Sequence, residues 1–134
     1  MAAILAPGRR RLATAALSLL ALGMLVAVAS GAINPKGGSY GGRTNQGKPV
    51  SFKVQRGTVK NAKFTIKSGI CEGTFYIYDT DKVDAKGRFS ISQPGVSKLT
   101  GRFVSNTKAK GAVTATFQSC PGGTNTVGYT ARRR

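Results

Sequence analysis

The sequence predicts an all-β domain: an antiparallel β-sandwich of seven or eight short strands with one disulfide, preceded by an N-terminal signal helix. Three observations predict this fold. After residue 49, apolar and polar residues alternate with period two in a series of short runs, which is typical of an antiparallel sheet with one buried face. Glycine- and proline-containing turn signals separate these runs. The chain has only two cysteines, and both follow an export segment, which favours a disulfide.

The N-terminus has the pattern of a secretory signal peptide. Arg9, Arg10 and Arg11 precede an apolar run over residues 12–29, which ends in alternating small residues. A basic region, an apolar region and an A-x-A site in this order predict export and cleavage. We therefore expect a signal peptide over residues 1–29 and a secreted or extracytoplasmic protein associated with the cell envelope. The run is close to the shortest membrane span, so membrane contact is expected only if the segment stays uncleaved.

The rest of the chain divides into a flexible, glycine-rich lead-in over residues 30–39 and a single β-sandwich domain over residues 40–134. Glycines and a proline dominate the lead-in, and such composition is typical of flexible linkers. In the domain, each predicted strand buries the apolar half of an alternating run. These runs lie in chain order at residues 50–54, 62–66, 74–78, 89–92, 99–103, 113–118 and 126–131. The three arginines at the C-terminus are expected to fray into solvent.

Cys71 and Cys120 are predicted to form the disulfide. An even pair of cysteines in an exported chain usually forms a bridge. The bridge would close a loop of about 50 residues, which stabilises a fold by roughly 4 kcal/mol in the chain-entropy model. A redox role is the less favoured alternative, because the sequence has no Cys-x-x-Cys motif.

The absence of histidine restricts the chemistry of the chain. Neither a Ser-His-Asp nor a Cys-His nucleophile system can be built, and no histidine-based zinc site exists. We predict no catalytic residue and no cofactor. The preferred interpretation is therefore a non-enzymatic module.

The four acidic residues lie within 13 positions, and three interpretations of them stay open. In the first, they cap backbone groups at strand ends and turns. In the second, three of them form a cation site. In the third, two of them serve a carboxylate-dependent glycan hydrolase. The acids are Glu72, Asp79, Asp81 and Asp84, and the cation candidates are Asp79, Asp81 and Asp84.

Positive charge is the strongest functional signal. The chain has a formal net charge of +17, and +14 remains outside the predicted signal peptide, which exceeds what solubility requires. Such an excess favours an anionic polymer as partner. We expect Lys53, Lys63 and Lys67 on polar strand faces to contact an anionic cell-envelope polymer or polysaccharide, with no specific nucleic acid. A purely structural accessory domain with a solvated basic surface is the alternative.

Tyr76 and Tyr78 share one face of a predicted strand. Aromatic side chains on an outer sheet face can stack on sugars or bases. The alternative is that the second sheet or the lead-in covers them.

Several short motifs carry a resemblance to a known family. They are the run YGGRTNQGKPVSF over residues 40–52, Cys71, residues 87–90, 101–103 and 109–111, Cys120, and residues 130–133. With these motifs the region resembles a family of small secreted actinobacterial β-sandwich domains with no known activity. The resemblance implies the fold, the compartment and a first strand over residues 40–44. It carries over no functional residue, and Tyr129 stands where the family often has tryptophan.

Overall fold

The computed structural model describes residues 32–134, and the predicted signal peptide lies outside the described residues. Residues 32–134 form nine strands and no helix. Accordingly, this part of the chain offers no helix able to cross a membrane. The strands are β1 Gly38–Thr44, β2 Pro49–Gln55, β3 Thr58–Ser68, β4 Cys71–Ile77, β5 Asp81–Lys82, β6 Arg88–Gln93, β7 Ser97–Ser105, β8 Lys108–Thr116 and β9 Thr124–Arg133.

All nine strands belong to one antiparallel sheet, which confirms the all-β prediction and corrects the two-sheet sandwich of seven or eight strands. The strand order is β4-β3-β2-β1-β9-β8-β7-β6, and β5 pairs with β3. Strand β1 joins the two halves, because it pairs with β2 on one side and with β9 on the other. The sheet is therefore a curled half-barrel that packs its inner face against itself.

Two glycines on the inner face explain how one sheet can curl so strongly. A Cβ atom on Gly42 would overlap the backbone carbonyl of Thr130, and one on Gly111 would overlap the carbonyl of Thr100. Adjacent backbones approach this closely only where a side chain is absent. Alternation predicts that one face of the sheet is buried. It does not show whether a second sheet or a curl of the same sheet covers that face, so the pattern alone does not distinguish a sandwich from a half-barrel.

Aromatic side chains fill the interior of the half-barrel. Tyr40 stacks on Phe52 with ring centroids 5.3 Å apart and meets Phe103 edge-on at 5.4 Å. All three side chains are buried. The Tyr40 hydroxyl donates to the carbonyl of Lys36 at 2.7 Å, and Ile33 packs against the core. The segment before β1 is thus attached to the domain at both points.

The predicted disulfide between Cys71 and Cys120 is present, with the two Cα atoms 6.2 Å apart. It connects the start of β4 to the loop between β8 and β9. The hydroxyl of Ser68 donates to the carbonyl of Gly122 at 2.6 Å beside it. Disulfides are typical of oxidising compartments, which agrees with the predicted extracytoplasmic location.

Candidate polyanion-binding face

The outer face of the sheet carries basic residues at directly opposed positions on neighbouring strands. On β6, β7 and β8, Arg88 lies opposite Arg102, which lies opposite Lys110. Directly opposed side chains have Cβ atoms about 5 Å apart, and like charges at that spacing repel. Of the three, only Arg88 has an ion-pair partner among the described residues, the carboxylate of Asp84 at 3.2 Å. We call these three residues the edge row.

A second row, the central row, runs across six strands of the same face. It combines cations at one end, small residues in the middle, and a cation and an aromatic ring at the other end. In strand order β8-β9-β1-β2-β3-β4 its members are Lys108, Arg132, Gly41, Ser51, Lys63 and Tyr76.

Neighbouring positive charges lower the pKa of a lysine at the basic end of the central row. Lys108 has a lowered pKa, first because of the positive charge of Arg132, then because of desolvation and the charge of Lys110. A lowered lysine pKa means that neighbouring cations disfavour its own protonated form. An anion bound here would relieve that repulsion.

Two adjoining recesses lie over the part of the central row that begins at Ser51 and ends at Tyr76. Both are lined by Ser51 and Asn61. The larger, about 340 Å³, also has Lys63, Tyr76 and Tyr78 in its wall. The smaller, about 210 Å³, includes Ser39, Lys53 and Arg134. The Arg134 guanidinium lies where a side chain at Gly41 would stand, so this glycine makes room for it.

A β-bulge shapes this region. The register between β2 and β3 shifts between Ser51 and Lys53, so that Lys53 lies opposite Lys60 while Ser51 lies opposite Lys63. Asn61, within the bulge, has a φ of 53°, a left-handed conformation that asparagine tolerates better than most residues. Bulges redirect side chains, and this one brings Lys60 and Lys63 onto the same outer face.

The structure brings two of the three predicted binding lysines together. Lys53 and Lys63 border the two recesses on either side of Ser51. Lys67 lies four residues along β3 from Lys63, about 13 Å away at the usual rise per residue of a strand. There it is opposite Glu72, which forms an ion pair with Lys48.

Sequence reasoning missed the C-terminal arginines as members of this surface. Their expected fraying is wrong, because β9 continues to Arg133 and the backbone N–H of Arg134 donates to the carbonyl of Ser39 at 2.9 Å. The edge row did have a sequence signal. Arg102 and Lys110 are equidistant from Asn106, so a hairpin turn at that point would place them opposite each other.

Backbone N–H groups are the main partners of the acidic residues. Ser90 N–H donates to Asp81 at 2.8 Å, and Ser92 N–H donates to Asp79 at 3.3 Å. Asp84 accepts from two further N–H groups in its own turn. The N–H of Arg88 is the main cause of the lowered pKa of Asp84.

Glu72 differs from the three aspartates, because its partner is a side chain. Its hydrogen bond with Lys48, followed by the charge of Lys48, lowers its pKa. Within residues 32–134, no three acidic, cysteine or histidine side chains are grouped in a way that could hold a metal ion. The contacts of the three aspartates are those expected from a backbone-capping role, whereas Glu72 is held by an ion pair.

The exposure of the two tyrosines distinguishes between the alternatives stated for them. Tyr76 is 53% exposed and Tyr78 82% exposed, so neither the lead-in nor another strand covers them. The Lys63 ammonium lies 5.8 Å from the centre of the Tyr76 ring, within the range of a cation–π contact.

Comparison with known proteins gives no relative from which a function can be carried over. No family model, no curated protein and no solved structure matches this chain. The functional interpretation therefore rests on the residues and geometry described above.

Proposed function

We propose that the protein is a secreted, envelope-associated, non-enzymatic module that binds anionic polymers through the outer face of its sheet. The observation that carries this proposal is the arrangement of the central row. Lys108 and Arg132 lie directly opposite each other, and neither has an acidic partner within residues 32–134. Opposed like charges destabilise a sheet, and a negatively charged ligand bound across this pair would relieve their repulsion.

The distribution of the cations supports a polymer rather than a small anion. The cations of the edge row and the central row are spread over five strands of the main sheet order: β6, β7, β8, β9 and β3. A polyanion can neutralise many such charges at once, and its affinity grows with the number of contacts. A small anion would need converging groups in a closed pocket, whereas both recesses on this face are open.

The engagement of the carboxylates supports a non-enzymatic role. A glycan hydrolase needs two carboxyl groups free to face the scissile bond. Asp79 and Asp81 instead accept hydrogen bonds from backbone N–H groups of β6. Asp84 accepts hydrogen bonds from the N–H groups of Lys86 and Arg88 in its own turn. These contacts give the three aspartates a role in holding the fold that requires no substrate.

The test is retention on an immobilised acidic polysaccharide, polygalacturonate, with elution by a salt gradient. We expect retention at low salt and release as salt rises, because exposed charges are screened over about 8 Å at physiological ionic strength. A variant with Lys63, Lys108 and Arg132 all changed to Gln should elute at clearly lower salt. A single Lys63→Gln change should shift elution only slightly.

The matched control removes the same number of charges outside the two rows, at Lys67, Lys86 and Lys98. We expect this variant to elute closer to the unsubstituted protein, since none of the three belongs to either row. Equal shifts in both triple variants would assign binding to net charge and not to the two rows. Absence of retention, or retention that salt does not affect, would contradict polyanion binding altogether.

A further inference from the structure

The larger recess differs from the rest of the basic face because aromatic and neutral polar groups border it. Its volume of about 340 Å³ falls in the range of about 300–1,000 Å³ that is typical of small-ligand sites. Ser51 and Asn61 provide a hydroxyl and a carboxamide. Such groups add little to the attraction for a bare charge but can hydrogen-bond to hydroxyl groups.

Tyr76 and Tyr78 give the recess an apolar wall. They are two of only four large hydrophobic residues that are exposed in residues 32–134. An exposed tyrosine ring can cover the apolar C–H face of a ring-shaped ligand while its hydroxyl stays in water. A charged polymer without rings would gain nothing from this wall.

From this geometry we infer that the recess is a subsite for a uronic-acid residue of an acidic polysaccharide, with the sugar ring on Tyr76 and its carboxylate on Lys63. The inference rests on the proposed function and deepens it, because it names the class of polymer. Asn61 and Ser51 would hydrogen-bond to the sugar hydroxyls. The adjoining recess with Lys53 and Arg134 would take the next charged unit of the chain.

The distance between Lys63 and Tyr76 favours a uronate over a nucleic acid. The ammonium lies 5.8 Å from the ring centre, and a charge-assisted hydrogen bond to a carboxylate oxygen is about 2.8 Å long. The anionic oxygen therefore lies within about 9 Å of the ring centre, which favours a ligand whose charge is attached close to its stacking ring. In a uronic acid the carboxylate is bonded directly to the sugar ring, whereas in a nucleic acid a sugar separates the phosphate from the stacking base.

The bulge at Asn61 provides an independent argument. The residue adopts a φ of 53°, which is uncommon for a residue with a side chain, and it borders both recesses. Glycine would adopt this conformation more readily. The asparagine carboxamide is therefore placed between the two recesses at some conformational cost, which is consistent with a use in binding.

The experiment measures affinity for three probes by calorimetry at one salt concentration: oligogalacturonate, inorganic polyphosphate and single-stranded DNA. Tyr76→Leu removes the aromatic face, and Tyr76→Phe keeps it as the matched control. Asn61→Gly removes the carboxamide and retains the backbone conformation. We expect Tyr76→Leu to weaken oligogalacturonate binding about tenfold, because the sugar loses the aromatic face on which it stacks. Tyr76→Phe should bind nearly as the unsubstituted protein does.

Polyphosphate affinity should change less than twofold in both the Tyr76→Leu and the Asn61→Gly proteins, while Asn61→Gly should weaken oligogalacturonate several-fold. Should Tyr76→Leu fail to fold, Asn61→Gly makes the same comparison between probes. The inference is overturned if the folded variants bind oligogalacturonate unchanged, if they lose affinity for all three probes equally, or if single-stranded DNA is affected most. In these cases the protein still binds polyanions, whereas binding of none of the probes would mean that the proposed function itself has failed.

Discussion

The backbone N–H of Ser90, on the free edge of β6, donates a hydrogen bond to the carboxylate of Asp81 at 2.8 Å. The same contact recurs two residues away, between Ser92 and Asp79. Asp81 also belongs to β5, which pairs with β3 through its backbone. The segment 79–81 therefore bridges the two ends of the sheet, with carboxylates in place of the carbonyls of a partner strand. An unpaired strand edge is a site for unwanted pairing with other chains, and these acids cover it.

The first prediction concerns this bridge. Changing Asp81 to Ala should expose the Ser90 N–H to solvent and lower the free energy of unfolding by about 1 kcal/mol, the usual contribution of one hydrogen bond. Hydrogen exchange should become faster at the Ser90 amide and remain unchanged at the N–H of Ser97 at the start of β7. Asp81→Asn keeps an acceptor oxygen and should have a smaller effect. Unchanged exchange at Ser90 in Asp81→Ala would show that the contact does not protect the edge.

The second prediction concerns acid stability. Asp84 has a lowered pKa, mainly because it accepts a hydrogen bond from the N–H of Arg88. A group whose pKa is lower in the folded state stabilises the fold above its unfolded pKa, and that stabilisation is lost as pH falls through the folded value. We expect the urea midpoint to decrease below about pH 4, near the ordinary pKa of an aspartate. The urea midpoint of the Asp84→Asn protein should decrease less than that of the unsubstituted protein between about pH 5 and pH 2.

Glu72 provides a second measurement of the same effect. Its pKa is also lowered, first by the hydrogen bond with Lys48. Combining Glu72→Gln with Asp84→Asn should flatten the acid dependence further than either change alone. A double variant whose urea midpoint falls with acid as steeply as that of the unsubstituted protein would assign the acid sensitivity to other groups.

The third prediction concerns the disulfide. Cys71 and Cys120 are separated by 49 positions, and cross-linking a loop of that length stabilises a fold by roughly 4 kcal/mol in the chain-entropy model. Reduction should therefore lower the urea midpoint strongly while leaving the β-type circular dichroism spectrum in dilute buffer recognisable. The Cys71→Ser, Cys120→Ser double variant should match the reduced protein and should not respond to reductant. A midpoint unchanged by reduction would mean that the native contacts around Ser68 and Gly122 suffice.

The local pattern of the sequence predicts much of the inner face and little of how it is assembled. Val50, Phe52 and Val54 alternate in the sequence and are all buried, because a period of two places every second side chain on one face. Strand β5 was not predicted, since two residues are too short to show any period. The curl of the sheet depends on close approach at Gly42 and Gly111, which becomes visible only when neighbouring strands are known.

The candidate site depends on register, and register is a non-local property. Lys108 and Arg132 lie on different strands, and nothing between them in the sequence shows that they are opposed. The bulge at Asn61 adds a second difficulty, because one extra residue changes which side chains of β3 share a face. The excess of positive charge can be counted in the sequence, but its distribution into rows requires the sheet.

The last prediction separates the contribution of the edge row to binding from its effect on stability. Arg102 has a cation directly opposite it on each side, Arg88 on β6 and Lys110 on β8. Changing Arg102 to Thr removes two like-charge contacts and introduces a residue that strands favour. At low salt the melting temperature should therefore rise by about 2–4 °C, while the protein should elute from polygalacturonate at lower salt.

Lys98→Thr on the same strand is the matched control, because Lys98 lies opposite Ser92 and Thr114, which are uncharged. It should change the melting temperature less. If Arg102→Thr lowers both the melting temperature and the retention, the arginine supports the fold and its repulsion is offset elsewhere. If stability rises and retention falls, the protein keeps a destabilising row of charge that serves binding.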